Sequence, residues 1–430
     1  MPFVVAARFW LWLGCVSFGG PAGQIAIMHE ELVERRRWVS ERRFLHALNY
    51  CMLLPGPEAQ QLATYIGWLL HRVPGGLVAG GLFILPSLVL LILLAWAYAA
   101  LGHLPAIAGI FAGLQPAVLA LVLHAVHRIG GRTLTHPVLW VLAITAFITN
   151  ALLEVPFPAV IAGAALAGLI GSRVLPRAFA PRPLAHGTAA AILDDGVPPP
   201  SHARWSLPRF AAVLGVGLAC WAVPFAALWY GGGWHGTLTQ MAWFFTTAAL
   251  LTFGGAYAVL PYVYQGAVGQ YGWLTGPQMI DGLALGESTP GPLIMVVTFV
   301  GFVGGWQVLP GETGSPLLAG IAGALVTTWF TFLPSFLFIL AGGPLVESTH
   351  GEVRFTAPLT GVTAAVVGVM CGLAVFFARH ILWPGGDAGD LDLGNLLVAL
   401  VALVALVRFK VGVVPVLLVA GVVGVTRAVG

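Results

Sequence analysis

Three carboxylates sit where a carboxylate is expensive. Glu58 directly follows the run Pro55-Gly56-Pro57, Glu287 stands two residues before Thr289-Pro290-Gly291-Pro292, and Asp281 lies earlier in the same apolar stretch. A charged side chain at the bilayer centre costs about 2.5–3.5 kcal/mol even on a lenient scale. Acids kept at such places are read as functional, and binding a proton is their natural chemistry, because desolvation favours the neutral acid. Asp281 also admits a plainer reading, as a residue near the membrane surface. Glu58, Glu287 and Asp281 are therefore the candidates for coupling a proton to another event.

The runs beside these acids offer a second chemistry. Ser17-Phe18-Gly19-Gly20-Pro21 and Pro55-Gly56-Pro57 interrupt one part of the chain, and Thr252-Phe253-Gly254-Gly255 and Thr289-Pro290-Gly291-Pro292 interrupt another. Proline at a helix start loses no hydrogen bond, and glycine lets a ligand come close to the backbone. A helix that starts at such a break points free N–H groups and partial positive charge into it. Four such ends could hold an anion without a buried arginine, since every arginine lies at a segment end or in a loop. Ser17, Thr252, Ser288 and Thr289 would add hydroxyl donors. The expected anion-binding residues are thus Ser17, Gly19, Gly20, Pro21, Pro55, Gly56, Thr252, Gly254, Gly255, Thr289, Pro290 and Gly291. The competing explanation is that Gly and Pro only let helices pack closely.

Elements that carry such breaks must lie in lipid. Of 430 residues, 59% are hydrophobic and 8% charged, and the mean hydropathy is +0.93. Soluble domains carry about 25% charged residues, so the solvent of this chain is a bilayer. Apolar segments near 3–28, 44–70, 75–101, 105–127, 209–230, 238–263, 278–304, 316–341 and 356–378 approach or exceed the roughly 20 residues of a spanning helix. Shorter pairs at 137–152 with 156–172, and 393–407 with 411–428, read as tight hairpins. The stretch 173–208, rich in Pro, Arg and Asp, reads as a linker. Cys15, Cys51, Cys220 and Cys371 lie in apolar stretches without C-x-x-C spacing and read as buried hydrophobes. The sequence lacks a nucleotide-binding G-x-x-x-x-G-K-[ST] run, a metal motif and any catalytic constellation. It is read as a non-enzyme with no cofactor, no metal and no nucleic-acid partner.

The two sides of the linker resemble each other. Ser17-Phe18-Gly19-Gly20, Trp38 and Pro55-Gly56-Pro57 recur 235 positions on as Thr252-Phe253-Gly254-Gly255, Trp273 and Pro290-Gly291-Pro292. Leu85-Pro86-Ser87 and Gly113, Ala117, Val118 recur 248 positions on as Leu333-Pro334-Ser335 and Gly361, Ala365, Val366. One insertion, placed in Gly305–Pro316, accounts for the change of offset. The division is then a first repeat over 1–172, a cytoplasmic linker over 173–208, a linking transmembrane helix over 209–237 and a second repeat over 238–430. Basic residues swap ends between the halves. Loop 29–43 holds Arg35, Arg36, Arg37, Arg42 and Arg43, whereas 264–278 holds neither Lys nor Arg. By the positive-inside rule this predicts inverted repeats, as in many secondary transporters; Arg427 alone disagrees. With loop 29–43 and Arg72 both cytoplasmic, segments 3–28 and 44–70 are either re-entrant hairpins or kinked spanning helices. Arg35, Arg36 and Arg37 would anchor the cytoplasmic face or gather anions at an inward mouth.

Ser17-Phe18-Gly19-Gly20-Pro21, Glu34-Arg35-Arg36-Arg37-Trp38, Leu54-Pro55-Gly56-Pro57, Thr252-Phe253-Gly254-Gly255 and Thr289-Pro290-Gly291-Pro292 together resemble the chromate transporter family. The likeness covers nearly the whole chain and matches the family's long, two-domain form. The second half lacks the arginine cluster and the proline after Gly255. The resemblance implies an all-α, multi-pass protein of the bacterial inner membrane. It would export chromate and confer chromate resistance, with sulfate as the structural analogue of the substrate. A carrier of sulfate or another inorganic anion, and a passive anion channel, are the alternatives. A homodimer is compatible with all of these.

Overall fold

Glycine and proline set where the helices stop. The computed structural model describes residues 1–18, 20–175, 192–193, 200–253, 255–308, 314–348, 356–384 and 390–429. Gly19, Gly254, most of the linker and residues 309–313 of the inserted stretch lie outside the described residues. The described secondary structure is helical apart from one isolated parallel bridge between Val39 and Leu193.

The first apolar segment is two helices. Helix α1 (Phe3–Val16) ends at Ser17, and α2 (Gly20–His29) starts at Gly20, whose φ of 74° glycine adopts freely. Pro21 takes the second helical position, where its missing N–H costs nothing. The next segment is likewise divided, into α3 (Glu41–Leu53) and the start of α4 (Glu58–Leu101), with Gly56 at φ 124° between them. Helix α4 turns sharply at His71 and Arg72, and Arg72 holds φ 59° and ψ −157°. At 1.5 Å per residue, α1 and α3 reach only about 20 Å, short of a roughly 30 Å hydrocarbon core.

These short helices form hairpins that return to the end they left. The Met1 carbonyl lies 3.0 Å from His71 Nε2, the Phe9 and Trp38 rings are 5.0 Å apart, and Glu41 lies 2.6 Å from His29 Nε2. Residues 1, 38, 41 and 71 thus gather at one end, with both Gly/Pro corners at the other. Of the two geometries open for 3–28 and 44–70, the structure adopts the hairpin.

The second half repeats the pattern. Helix α9 (Thr237–Leu251), the short α10 (Leu260–Tyr264), α11 (Gly276–Ser288) and α12 (Val296–Val308) follow α8 (Leu207–Gly232). A Cβ on Gly304, at the end of α12, would stand 2.6 Å from Met241 Cε and 3.0 Å from Trp273 Cβ. Residues 241, 273 and 304 therefore gather away from the corners at 252–255 and 289–292.

Long helices enclose the hairpins. Helices α5 (Pro105–Thr133), α7 (Phe157–Val174), α8, α13 (Pro316–Ser348) and α14 (Thr356–Leu382), with α4, are long and apolar enough to cross a membrane. The paired helices α6 (Pro137–Phe147) with α7, and α15 (Leu393–Val407) with α16 (Val413–Val429), form the expected hairpins. Helix α8 buries no residue and exposes Val216, Leu218, Val223 and Trp229. An apolar surface of that length is stable against lipid, not water.

The halves are laced together by exchange. Helix α5 of the first half packs on α15 and α16 of the second, and α14 packs on α6 and α7. Gly113 faces the α16 backbone at Ala420 and Gly424, and its repeat mate Gly361 faces the α7 backbone at Ala164 and Gly168. For this glycine pair the packing explanation of the repeat is the right one. Arg427, out of place by the charge rule, pairs with Asp392 at 3.4 Å and donates to Asn395 Oδ1 at 3.0 Å.

A Cβ on Gly113 would stand 2.6 Å from Gly424 Cα. Gly113→Ile is expected to lower stability by about 1–3 kcal/mol, the usual cost of overpacking. Gly131→Ala, with open space around it, is expected to be neutral. Thermal unfolding in detergent compares the two.

Candidate functional site

The four corners meet crosswise at the centre. Gly56 N–H donates to Thr252 O at 2.8 Å, and Gly291 N–H donates to Ser17 O at 2.8 Å. Each Pro-Gly-Pro corner thus bonds the Ser/Thr-Phe-Gly-Gly corner of the opposite half, with the same atoms in the same roles. The flanking contacts are exchanged as well. A Cβ on Gly56 would strike Ser335 Oγ, and one on Gly291 would stand 2.8 Å from Ser87 Cβ. These serines are the repeated Leu-Pro-Ser residues of α4 and α13.

Glutamines complete the crossings. Gln61 Nε2 donates to Pro55 O at 2.7 Å and Ser335 Oγ at 3.3 Å. Gln24 Nε2 donates to Gly291 O and, at 3.4 Å, to Ser17 O. Ser17, Gln24, Gln61 and Ser87 are buried, yet Ser17 Oγ, Ser87 Oγ and the Oε1 atoms of Gln24 and Gln61 have no partner among the described residues. An unpaired buried polar atom costs about 1–3 kcal/mol, so the crossing is polar at a price that packing alone does not demand. Gln24, Gln61, Ser87 and Ser335 were not singled out as site residues from the sequence. The repeat of Leu-Pro-Ser was the signal for the serines; the glutamines carry none, because their repeat positions hold Val259 and Val296.

The corner amides do not all serve an anion. Gly56 and Gly291 spend theirs on the opposite half. The hydroxyls of Thr252, Ser288 and Thr289 donate to carbonyls of their own helices, at Ala248, Leu285 and Gly286. Of the four expected hydroxyl donors, Ser17 alone has an unpartnered hydroxyl. The helices starting at Gly20 and Glu58, and the turn of 3-10 helix starting at Ala256, still aim their first amides at the crossing.

A cavity of about 640 Å³ leads to this point from the end where residues 29 and 41 lie. Pro21, Glu58, Gly255 and Tyr257 form its inner wall, and His29, Glu41, Arg128 and Arg132 line it farther out. Glu58 Oε1 stands 3.9 Å from where Gly255 would carry a Cβ. Tyr257 donates its hydroxyl to Glu287 Oε1 at 2.6 Å, and the Arg128 guanidinium lies 5.9 Å from the Tyr257 ring centre. An Arg128 Nη atom and the Tyr257 hydroxyl each stand 3.9 Å from the Cβ position of Gly20.

Arg128 corrects the expectation that no arginine reaches the corners. Helix α5 runs on to Thr133, so Arg128 lies before its end, and a long arginine stem can carry its charge back along the apolar wall. The repeat could not flag it, since the matching position is Phe376.

Asp281 stands apart from this group. It accepts from Tyr98 Oη at 2.9 Å and Gln115 Nε2 at 3.0 Å, and it lines a second cavity of about 460 Å³ with His103 and Ala108. Ala108 and Arg132 line different cavities on one helix, 24 residues or about 36 Å apart. The two cavities therefore open toward opposite ends of the molecule. Asp281 is buried inside the protein, near the start of α11.

Arg35, Arg36 and Arg37 do not line the cavity. Arg35 pairs with Glu30 and Glu31, at 2.7 and 2.8 Å. Arg36 pairs with Glu31 at 2.9 Å and covers the Phe9 ring, and the Arg37 carbonyl accepts from Ile192 N–H. Burial raises the Glu31 carboxyl; Arg36 and Arg35 outweigh it and hold the group below its ordinary value. This cluster knits loop to linker. The mouth is lined by Arg128 and Arg132 instead.

The model of the family described as chromate transporter matches residues 5–169 and 239–425. The chain belongs to the chromate transporter family. Both matched stretches carry a pair of the crossing corners. The chain is 33% identical to a chromate transport protein of Pseudomonas aeruginosa over 97% of its own length and 90% of that protein's. It is 30% identical to a probable chromate transport protein of Synechococcus elongatus, over 87% and 84% of the two chains. A chromate transport protein of Cupriavidus metallidurans is 28% identical over 94% and 87%. No solved structure gives a significant match. Membership of this chromate transporter family and the apolar helices make the chain an all-α, multi-pass membrane protein.

The crossing makes a sharp demand on its glycines. Gly56→Ala and Gly291→Ala place a side chain at φ 124° and 96° and into Ser335 and Ser87 respectively. Each is expected to abolish transport, whereas Gly81→Ala, with nothing near it, keeps it. Flux normalised to protein in the membrane is the measurement.

Proposed function

We propose that this chain is a secondary carrier that exports chromate from the bacterial cytoplasm and so confers chromate resistance. The observation that carries the proposal is the reciprocal pairing of the corners beside a cavity that brings Arg128 to Gly20. In this reading Ser17, Gly20, Pro21, Pro55, Gly56, Thr252, Gly255, Thr289, Pro290 and Gly291 build the substrate site. Free amides of the α2 and α4 starts supply donors. Arg128 supplies the one full positive charge, and Gln24, Gln61 and Ser87 line the polar crossing. Gly19 and Gly254 belong to the same corners by sequence.

We further propose that the two repeats are inverted across the bilayer. Helix α8 supports this. It starts beside the linker, where His202 Nε2 lies 3.0 Å from Trp68 O, and its 26 residues cover about 39 Å before α9 begins. The hairpins of the two halves then enter from opposite faces. Mirrored halves can trade conformations at nearly equal energy, which is what alternating access requires. The cavity at Arg128 becomes the cytoplasmic one, and that at Asp281 the external one.

The membrane potential suits export. Chromate carries about two negative charges near neutral pH, and moving two charges outward from a negative interior releases about 4.6 kcal/mol per 100 mV. At about 1.4 kcal/mol per decade, that supports a gradient above a thousandfold. Protonation of Glu58 or Glu287 is an additional means of coupling. Glu287 is the better placed to report on the site, because Tyr257 connects it to Arg128.

In inverted membrane vesicles, chromate uptake is expected to rise with an inside-positive potential and to show counter-flow with preloaded chromate. Absence of counter-flow would identify a channel, and a preference for sulfate would identify a sulfate carrier. Arg128→Gln is expected to raise the KM for chromate about tenfold or more, corresponding to ~1.4 kcal/mol of lost attraction, with normal membrane insertion. Glu287→Gln is expected to flatten the pH dependence of transport; an unchanged profile would remove Glu287 from coupling.

A further inference from the structure

A third cavity lies away from the crossing, between the α4 turn, the end of the linker and α8. Its volume is about 430 Å³. Arg72, Arg209 and His202 supply its polar wall, Trp68 and Trp205 flank it, and no Asp or Glu lines it among the described residues. Arg72 has no ion-pair partner among the described residues. Its backbone is held at φ 59° and ψ −157°, a conformation that costs a non-glycine residue about 1–3 kcal/mol. Both guanidinium groups act on His202, so their charges converge on one spot.

The surroundings of these charges are apolar and open to lipid. Val73, Leu77, Trp205, Leu207 and Phe210 are exposed around the cavity, and α8 beside it buries nothing. Arg72 marks the tip where a half-length helix meets a long one, and Trp205 stands exposed beside it, as aromatic residues do at a headgroup layer. A soluble anion would have no use for the apolar rim. A phospholipid would place its phosphate between the arginines and its chains along Val73, Leu77 and Phe210. Basic pockets between transmembrane helices on the cytoplasmic side suit anionic headgroups.

We propose that the cavity formed by Arg72, His202, Arg209, Trp68 and Trp205 is a binding site for the headgroup of an anionic phospholipid. The occupant would brace the α4 turn against the linker and α8. Because the α3–α4 hairpin carries the Pro55-Gly56-Pro57 corner at its other end, lipid composition would then set the stability of the hairpin that forms the crossing. The site stands whatever ion the carrier moves.

The test uses the full chain purified in a neutral detergent. Melting temperature is followed while short-chain phosphatidylglycerol, phosphatidylcholine or inorganic phosphate is titrated in. A saturable rise with phosphatidylglycerol alone is expected. Arg72→Gln and Arg209→Gln are each expected to weaken its apparent affinity about fivefold, from ~1 kcal/mol per basic residue near an anionic surface. Arg204→Gln, on an exposed residue outside the cavity lining, should leave it unchanged. Should Arg72→Gln fail to fold, Arg209→Gln decides alone. An equal response to phosphatidylcholine, a response reproduced by phosphate, or undiminished affinity in the foldable cavity variants would overturn the proposal.

Discussion

Two backbone hydrogen bonds, Gly56 N–H to Thr252 O and Gly291 N–H to Ser17 O, hold the centre of this protein. Helices broken inside a bilayer leave amides and carbonyls unpaired, and in hydrocarbon each such group costs several kcal/mol. The chain meets that constraint by trading partners between halves, so that each broken corner completes the other's backbone. The trade requires the corners to touch, and touching leaves no room for a Cβ at Gly56 or Gly291. Glycine at these places is therefore a consequence of closure. Each Pro-Gly-Pro amide is paired by the opposite half, so the two halves together complete the backbone of the crossing.

The same trade shapes the electrostatics. Corner amides committed to the opposite half no longer serve a ligand, and most corner hydroxyls are turned back onto their own helices. What is left is a small set of helix starts, a few unpartnered polar atoms and one long-reaching guanidinium. In the proposed reading such a site attracts an anion through partial charges and a guanidinium. It avoids the desolvation cost of several buried arginines. Tyr257 connects this cation to Glu287, so the guanidinium and the acid share one ring.

Helix exchange outside the crossing serves the same end. With α5 seated on α15 and α16, and α14 on α6 and α7, a shift of either hairpin pair is felt by both halves. Both ends of α5 line cavities, so in the proposed reading that helix borders the route between the faces.

The sequence by itself determined the solvent, the helical class and the four corners. Composition admits only lipid, and corners made of Gly and Pro are legible because those residues constrain the backbone locally. It also determined the pairing of like with like, Ser17 with Thr252 and Gly56 with Gly291, as a repeat. It left open whether 3–28 and 44–70 span or turn back, because a broken apolar segment has the same pattern either way. Only the tertiary structure decided that, through contacts such as Met1 with His71 and Phe9 with Trp38. Only the tertiary structure showed that corners bond across halves and that Arg128 reaches Gly20. It also placed Arg35 and Arg36 in ion pairs with Glu30 and Glu31 and the Arg37 carbonyl against the linker, away from the mouth. The crossing and the reach of Arg128 depend on partners more than a hundred residues away, and such contacts leave no periodic or local trace in the chain.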